Sequence, residues 1–145
     1  MSESVFVDTN VLIYRIDSGD PPRQQRAGAW LATLWSARAG RISFQVLQEY
    51  FVKATQKRPD LRNTIRTEIR DLLAWSPVPI DASTLEQAWK IQDRYQLSFW
   101  DSLIVAAAQA ASCRWLLTED LQAGQTFDGL TVVNPFRTAP NQLPS

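Results

Sequence analysis

The chain of 145 residues contains no histidine and a single cysteine, Cys113. The absence of His excludes imidazole acid–base catalysis, Ser-His-Asp and Cys-His nucleophilic sites, and zinc sites built on His. One Cys can form neither an intrachain disulfide nor a thiolate metal cage. This suits a reducing compartment, and we expect a cytoplasmic protein. If the chain is an enzyme, its chemistry depends on carboxylates, hydroxyls, amides, Lys and Arg.

Long apolar runs and an excess of charge of either sign are also missing. No apolar run reaches the ~20 residues of a membrane-spanning helix, so we expect no membrane association. Residues 1–4 carry no basic cluster and lead directly into an apolar run, which argues against a signal peptide. The formal net charge is zero, so the field of the whole molecule is not expected to attract nucleic acid strongly.

Short apolar runs alternate with segments of helical periodicity along the chain. The runs predict strands at 5–7, 41–43, 78–80, 114–118 and 130–133. The periodic segments predict helices at 11–16, 23–39, 44–56, 60–75, 81–95 and 98–112. Strands that alternate with helices predict an α/β fold with a parallel sheet covered by helices on both faces. The length is typical of one domain, which we expect to span 1–136, followed by a loose tail at 137–145.

Four acidic residues lie just after predicted strands or in the helices that come next. Asp8 ends the run 5–7, and Asp120 follows the fourth predicted strand. Glu49 lies inside the helix after the second strand, and Asp101 lies in the first turn of helix 98–112. Functional groups of an open parallel sheet collect where strands end and helices begin, so Asp8 occupies such a place. Carboxylate-rich sites prefer Mg²⁺, Ca²⁺ or Mn²⁺.

Two of these acids also have a purely structural interpretation as helix caps. Asp8 or Asn10 can cap the helix that follows, since both are good N-cap residues. Ser98 and Asp101 match the Ser-x-x-Asp pattern of a capping box. The helix that Asp101 opens is apolar on all sides and is therefore predicted to be buried. An uncompensated charge at its start would be costly, so capping alone explains Asp101 poorly.

The other two acids have equally ordinary interpretations. Glu49 shares a helix face with Gln45 and Lys53, and periodicity alone predicts that this face is solvated. Asp120 could be a turn residue after its strand. The residue pattern leaves these alternatives open.

Four short motifs that contain these acids occur in a fixed order along the chain. They are Val7-Asp8-Thr9-Asn10, Leu47-Gln48-Glu49-Tyr50, Trp100-Asp101-Ser102-Leu103-Ile104 and Leu117-Thr118-Glu119-Asp120. The series resembles that of PIN domains, and it is most similar to the VapC-type toxin ribonucleases of toxin–antitoxin pairs. The resemblance extends from residue 5 to about residue 136 and includes the order and β/α placement of the motifs.

The resemblance implies a three-layer α/β fold whose central, mainly parallel sheet brings the acids together at one end. It also implies a metal-dependent endoribonuclease that acts on RNA, forms a homodimer and binds a small antitoxin protein. The ligands of Mg²⁺ or Mn²⁺ would be the four acids, with Glu119 competing with Asp120 for the fourth position. The motif positions imply these ligands and supporting polar groups: Asp8, Glu49, Asp101 and Asp120, supported by Asn10, Ser102 and Thr118.

Two other functions are compatible with the same residues. One is a catalytically silent PIN-like module that binds RNA or protein, although the complete set of acids argues against it. The other is a Mg²⁺ phosphohydrolase that forms an aspartyl-phosphate. Such enzymes usually have a second Asp two residues after the nucleophile, and Asn10 occupies that position relative to Asp8.

Basic and aromatic residues offer candidates for contact with RNA. Arg62, Arg66 and Arg70 are spaced by four and lie on one face of the predicted helix 60–75. This face could bind phosphates, or it could be a solvated face paired with nearby acids. Of the tryptophans, Trp30, Trp35 and Trp89 are predicted to lie in the core. Trp100 is also predicted to pack in the core, with stacking on an unpaired base as the alternative.

Overall fold

A five-stranded sheet forms the centre of the computed structural model, which describes residues 3–144. Residues 1, 2 and 145, which belong to the predicted N-terminal segment and tail, lie outside the described part. The strands are β1 (Val5–Val7), β2 (Gly40–Arg41), β3 (Trp115–Leu117), β4 (Thr126–Phe127) and β5 (Leu130–Val133). They are arranged in the order β2-β1-β3-β5-β4, and every neighbouring pair is parallel except β4 and β5.

Helices flank this sheet, which confirms the predicted three-layer α/β fold. The α-helices are α1 (Thr9–Ile16), α2 (Pro21–Ala37), α3 (Phe44–Lys57), α4 (Arg62–Leu72), α5 (Ala82–Tyr95) and α6 (Phe99–Ala110). Short 3-10 helices occur at Pro59–Leu61, Leu73–Trp75 and Pro140–Gln142. Helix α6 packs against α5 and is buried from Ser102 to Ala108, as its continuous apolar sequence predicts. Within residues 3–144, no helix combines the length and apolar character needed to cross a membrane.

The two central strands place the first motif beside the fourth. All residues of β1 and β3 are buried, because helices cover both faces of the sheet. The parallel register pairs Val7 with Leu117 at the carboxyl ends of the two strands. The backbone N–H of Asp8 then donates to the Leu117 carbonyl oxygen at 3.1 Å. Asp8 and Thr118 therefore leave the sheet side by side, although they are far apart in sequence.

The prediction of a strand at 78–80 is wrong. Val78 forms only an isolated parallel bridge with Ser43, in which its N–H donates to the Ile42 carbonyl oxygen at 2.9 Å. Pro77 and Pro79 flank Val78 and have no N–H groups with which to extend a ladder.

The prediction also missed β4, which pairs with β5 as an antiparallel hairpin. Asp128 and Gly129 form its two-residue turn, with positive φ angles of 50° and 90°. An Asp-Gly pair between two short runs is a strong hairpin signal, so the sequence contained the information.

Of the three tryptophans first assigned to the core, only Trp30 is buried. Trp30 is buried as predicted, and its indole N–H donates to the carbonyl oxygens of Pro135 and Thr138. These bonds attach the chain after β5 to α2. Trp35 and Trp89 are 41% and 48% exposed, so their assignment to the core is wrong.

The domain boundary expected at residue 136 stays a prediction.

Candidate active site

Four acidic side chains line one cavity of about 450 Å³ at the carboxyl ends of β1 and β3. The complete lining is Asp8, Gln45, Glu49, Lys53, Trp100, Asp101, Ile104 and Asp120. An adjoining cavity of about 310 Å³ shares the side chains of Asp8, Glu49, Lys53 and Asp120. The fold therefore brings together the four acids predicted from the motifs, each from a different part of the chain.

Asp8 is the N-cap of α1 and is also buried among other acids. Its carboxylate accepts hydrogen bonds from the Thr9 backbone N–H at 2.7 Å and from the Thr118 hydroxyl at 2.8 Å. The pKa of Asp8 is raised to about 6, chiefly by burial and with smaller contributions from the charges of Asp120 and Glu49, while the two hydrogen bonds oppose the shift. The capping interpretation is thus correct but incomplete.

A second N-cap aspartate shows what capping alone does to a carboxyl group. Asp81 caps α5 and accepts from the Thr84 backbone N–H at 3.0 Å. This hydrogen bond lowers the pKa of the exposed Asp81 carboxyl group, which is the usual effect of a cap. The opposite shift at Asp8 therefore comes from its burial and its acidic neighbours.

Asn10 and Thr118 connect the first acid to the last. The Asn10 side-chain amide donates to the Thr118 hydroxyl and to the Asp120 carboxylate, each at 3.1 Å, and lies 3.4 Å from Asp8 Oδ2. The buried Thr118 hydroxyl donates to Asp8 and accepts from the Asp120 backbone N–H at 3.0 Å. Two of the three predicted supporting residues, Asn10 and Thr118, therefore fix the relative positions of Asp8 and Asp120.

Asp101 enters the cavity from the first turn of α6. The hydroxyl of the N-cap Ser98 accepts from the Asp101 backbone N–H at 3.1 Å, so this turn is capped by Ser98. Partial burial raises the pKa of Asp101, helped by the charges of Asp120 and Glu49. Ser102 does not line the cavity. It is fully buried, and its hydroxyl donates to the Ser98 carbonyl oxygen at 2.8 Å.

Glu49 lies on a face of α3 that borders the cavity, and not on a purely solvated face. Gln45, which is 7% exposed, donates from its amide to Glu49 Oε1 at 2.9 Å. The Lys53 ammonium lies 3.5 Å from Glu49 Oε2. Gln45 and Lys53 were not predicted as site residues, although their spacing of four on either side of Glu49 places them on the same helix face.

The side chains of Glu119 and Asp120 lie in different environments. The Asp120 carboxylate lines the main cavity together with the other acids. Glu119 lines only the adjoining cavity and lies 3.7 Å from the Arg23 guanidinium.

The arginines of α4 lie apart from the acids. Arg62, Arg66 and Arg70 are exposed, as either interpretation requires, but none of them lines the acidic cavity. Arg66 and Arg70 instead border an apolar groove between α3 and α4, where the Arg66 guanidinium lies 5.8 Å from the Phe51 ring centroid.

Trp100 is 64% exposed and lines the acidic cavity. Its predicted packing in the core is therefore wrong.

The chemistry of the side chains at the cavity suits a hard divalent cation. The candidate ligands are all oxygen atoms, the type that Mg²⁺ and Mn²⁺ prefer. The amide oxygens of Asn10 and Gln45 are also buried and have no hydrogen-bond partner among the described residues. Within residues 3–144, however, no group of three Asp, Glu or Cys side chains is arranged to hold an ion in this conformation.

Several solved structures are similar to this chain, among them the following three. A toxin–antitoxin complex from Klebsiella pneumoniae matches at 25% identity and a TM-score of 0.65, covering 91% of this chain and 98% of its own. VapC20 of Mycobacterium tuberculosis, a Sarcin-Ricin loop cleaving toxin, matches at 23% identity and a TM-score of 0.59, covering 78% and 87%. VapBC2 from Rickettsia felis, bound to a DNA fragment from its promoter, matches at 15% identity and a TM-score of 0.59, covering 88% and 96%.

Comparison with family models assigns the chain to a family. No curated protein sequence matches the chain. The family model of the PIN domain matches residues 5–126, a region that contains the whole acidic cavity and most of the chain. The motifs, the sheet order and this match agree, and the chain belongs to the PIN domain family.

Proposed function

We propose that this protein is a metal-dependent endoribonuclease that hydrolyses RNA phosphodiester bonds. The observation that carries the proposal is the convergence of four carboxylates in one cavity of a PIN domain. Asp8 comes from the end of β1, Glu49 from α3, Asp101 from α6, and Asp120 from the loop after β3. VapC20, which has a similar fold, is a toxin that cleaves the Sarcin-Ricin loop, and this supports the choice of RNA as substrate.

The four acids would hold Mg²⁺ or Mn²⁺, with Asp120 rather than Glu119 as the fourth. When bound, such an ion activates a water molecule for attack and stabilises the charge that grows on the phosphate. The protein's own part is to orient the carboxylates. Thr118 and Asn10 do this for Asp8 and Asp120 through the hydrogen bonds described above. Ser102 supports the site indirectly, because it braces the first turn of α6, which carries Asp101.

We also propose that the protein is the toxin of a toxin–antitoxin pair, working in the cytoplasm as a homodimer that a small antitoxin protein inhibits. The Klebsiella and Rickettsia structures are toxin–antitoxin assemblies of similar fold, and the match to the first covers nearly all of both chains. The single free cysteine is buried and is compatible with a reducing compartment.

Cleavage of RNA by variants with one carboxylate replaced tests the enzymatic proposal. Asn caps a helix about as well as Asp but lacks the charge that holds a divalent ion. We therefore expect Asp101→Asn to fold normally and to cut RNA roughly a hundredfold more slowly in Mn²⁺, since each 1.36 kcal/mol of lost transition-state stabilisation is tenfold in rate. The measurement is the initial rate of oligoribonucleotide cleavage with and without chelator.

Asp81→Asn is the matched control, since Asp81 is an N-cap outside the acidic cavity. This variant should fold and cut RNA like the wild type. A wild type that cuts no RNA in Mn²⁺ would contradict the proposal and favour a binding module without catalysis. Equal cleavage with and without chelator would contradict the metal dependence. Near-normal cleavage by Asp101→Asn would remove that residue from the metal ligands.

A further inference from the structure

Among the large hydrophobic residues at positions 3–144, Trp100 is the most exposed, although it directly precedes Asp101 in the first turn of α6. Its side chain forms part of the wall of the cavity that the acids line. Trp is usually well buried, because its ring removes a large apolar area from water. The exposure of this apolar ring beside the candidate active site therefore indicates that the ring contacts a binding partner.

The ring has a defined neighbour. Phe99 packs against the hydrophobic core, and its ring centroid lies 5.3 Å from that of Trp100 at an interplanar angle of 73°. This edge-to-face arrangement is a favourable geometry for an aromatic pair. The adjacent capping bond from Asp101 to Ser98 fixes the backbone of the same turn. The indole is thus attached to a rigid helix end.

The rest of the cavity wall indicates what kind of group the ring would contact. The cavity is lined by carboxylates and by Lys53, with Ile104 as its one aliphatic member. The centre of a protein–protein interface is usually depleted of charged residues, so this lining is a poor fit to an apolar protein surface. A nucleotide, in contrast, combines a phosphate that needs cations with a base that stacks on aromatic rings.

We propose that Trp100 is a specificity-determining residue that stacks on an unpaired base next to the phosphate that is cut. The inference rests on the proposed ribonuclease function and adds to it the requirement for an unstacked base at a defined position. Stacking on an aromatic side chain does not require a particular base, because every base has a π-face. Trp100 would therefore select for unpaired RNA more than for sequence.

The test combines a change in the protein with a change in the RNA. Trp100→Leu removes the aromatic ring, whereas Trp100→Phe keeps one. Trp89→Leu is the control, since Trp89 is 48% exposed on α5 but does not line the cavity. The substrates are one oligoribonucleotide and a series in which each nucleotide flanking the mapped cut is in turn made abasic. The value of kcat/KM in Mn²⁺ is measured for every combination of protein and RNA. Thermal melting and light scattering of each protein report its stability and oligomeric state.

We expect Trp100→Leu to lower kcat/KM about tenfold on the intact RNA. Trp100→Phe and Trp89→Leu should retain most of the activity. At one abasic position the wild type should lose about the same factor, and Trp100→Leu should lose nothing more there, because the stacked pair is already broken. Full activity of Trp100→Leu, additive losses at every position, or a loss explained by a changed melting temperature or oligomeric state would overturn the stacking role. A wild type that cuts no RNA would overturn the proposed function as well.

Discussion

At the scale of single residues, Asp8 combines a structural and a chemical role whose energies oppose each other. Its carboxylate caps α1 through the Thr9 N–H, which favours the folded state. Its burial next to other acids raises the carboxyl pKa to about 6, so ionisation of Asp8 destabilises the fold near neutral pH. Local strain or repulsion that persists in a native structure is often part of a functional site.

This shift predicts how stability depends on pH once metal is removed. The folded pKa of Asp8 lies above the unfolded value of 3.8, so the native state binds this proton more tightly. The contribution of the protonated group is full below the unfolded pKa and is lost as pH rises through about 6. In chelator at pH 7, Asp8→Asn should be more stable than the wild type, by up to about 3 kcal/mol. Urea unfolding of both proteins between pH 4 and pH 7 measures this.

Asp81→Asn again provides the comparison, because the pKa shift of Asp81 has the opposite sign. Its folded pKa is lowered, so its contribution is present above the unfolded pKa and is lost as pH falls through the folded value. Replacement of Asp81 should therefore not increase stability at pH 7. A wild-type pH dependence that survives unchanged in Asp8→Asn would show that the buried carboxyl group is not its source.

At the scale of secondary-structure elements, the two faces of α3 show where prediction from sequence succeeds and fails. Helical periodicity correctly assigns Leu47 and Tyr50 to the core. It also assigns Glu49 to solvent, because a polar face and the wall of a polar cavity have the same pattern. Only the packing of α3 against α1, the helix that Asp8 caps, distinguishes them. The apolar run at 78–80 likewise predicts a strand from its residue pattern alone, although Pro77 and Pro79 cannot donate to a ladder.

Gly40 is a second residue whose place in the structure differs from what its sequence context predicts. A glycine after a helical segment predicts a C-terminal stop, but α2 ends at Ala37, and Arg38 has the left-handed conformation of a C-terminal cap. Gly40 lies in β2 instead, where an added Cβ would be 2.6 Å from the ring of the buried Trp75. The missing side chain therefore permits the contact between this strand and Trp75.

Replacement of Gly40 by Ala should consequently destabilise the protein by about 1–3 kcal/mol, since the Trp75 ring must move within a packed core. Gly28→Ala is the control. Gly28 lies inside α2 with no atom within 4 Å of an added Cβ, so the change should stabilise α2 by roughly 0.5–1 kcal/mol. Urea unfolding of the two variants separates the effects. Equal stability of Gly40→Ala and the wild type would mean that the ring is not held as described.

At the scale of the whole molecule, the fold concentrates negative charge in one cavity, although the chain as a whole has no net charge. The formal net charge is zero, yet four carboxylates line one cavity, with Lys53 as the cation in its lining. The sequence predicted the parallel strands, and the resemblance of its motifs to PIN domains implied that the four acids meet at one end of the sheet. That Lys53 and Trp100 line the same cavity was not predicted, because helical spacing places Lys53 beside Glu49 and Trp100 beside Asp101 but does not show how α3 and α6 are packed in the fold.

The concentrated charge predicts that a divalent cation stabilises the whole protein. A ligand that binds only the native state stabilises it by RT ln(1 + [L]/Kd), about 2.7 kcal/mol at a hundred times Kd. For a chain of this size the melting temperature should rise by roughly 5–10 °C in Mn²⁺ or Mg²⁺. The rise should disappear when Asp8 and Asp101 are both replaced by Asn, although this variant should melt no lower than the wild type in chelator. Scanning calorimetry of both proteins, with and without metal, provides the measurement. An equal rise in the double variant would mean that the cation binds elsewhere, and the metal-dependent mechanism would then have no site at this cavity.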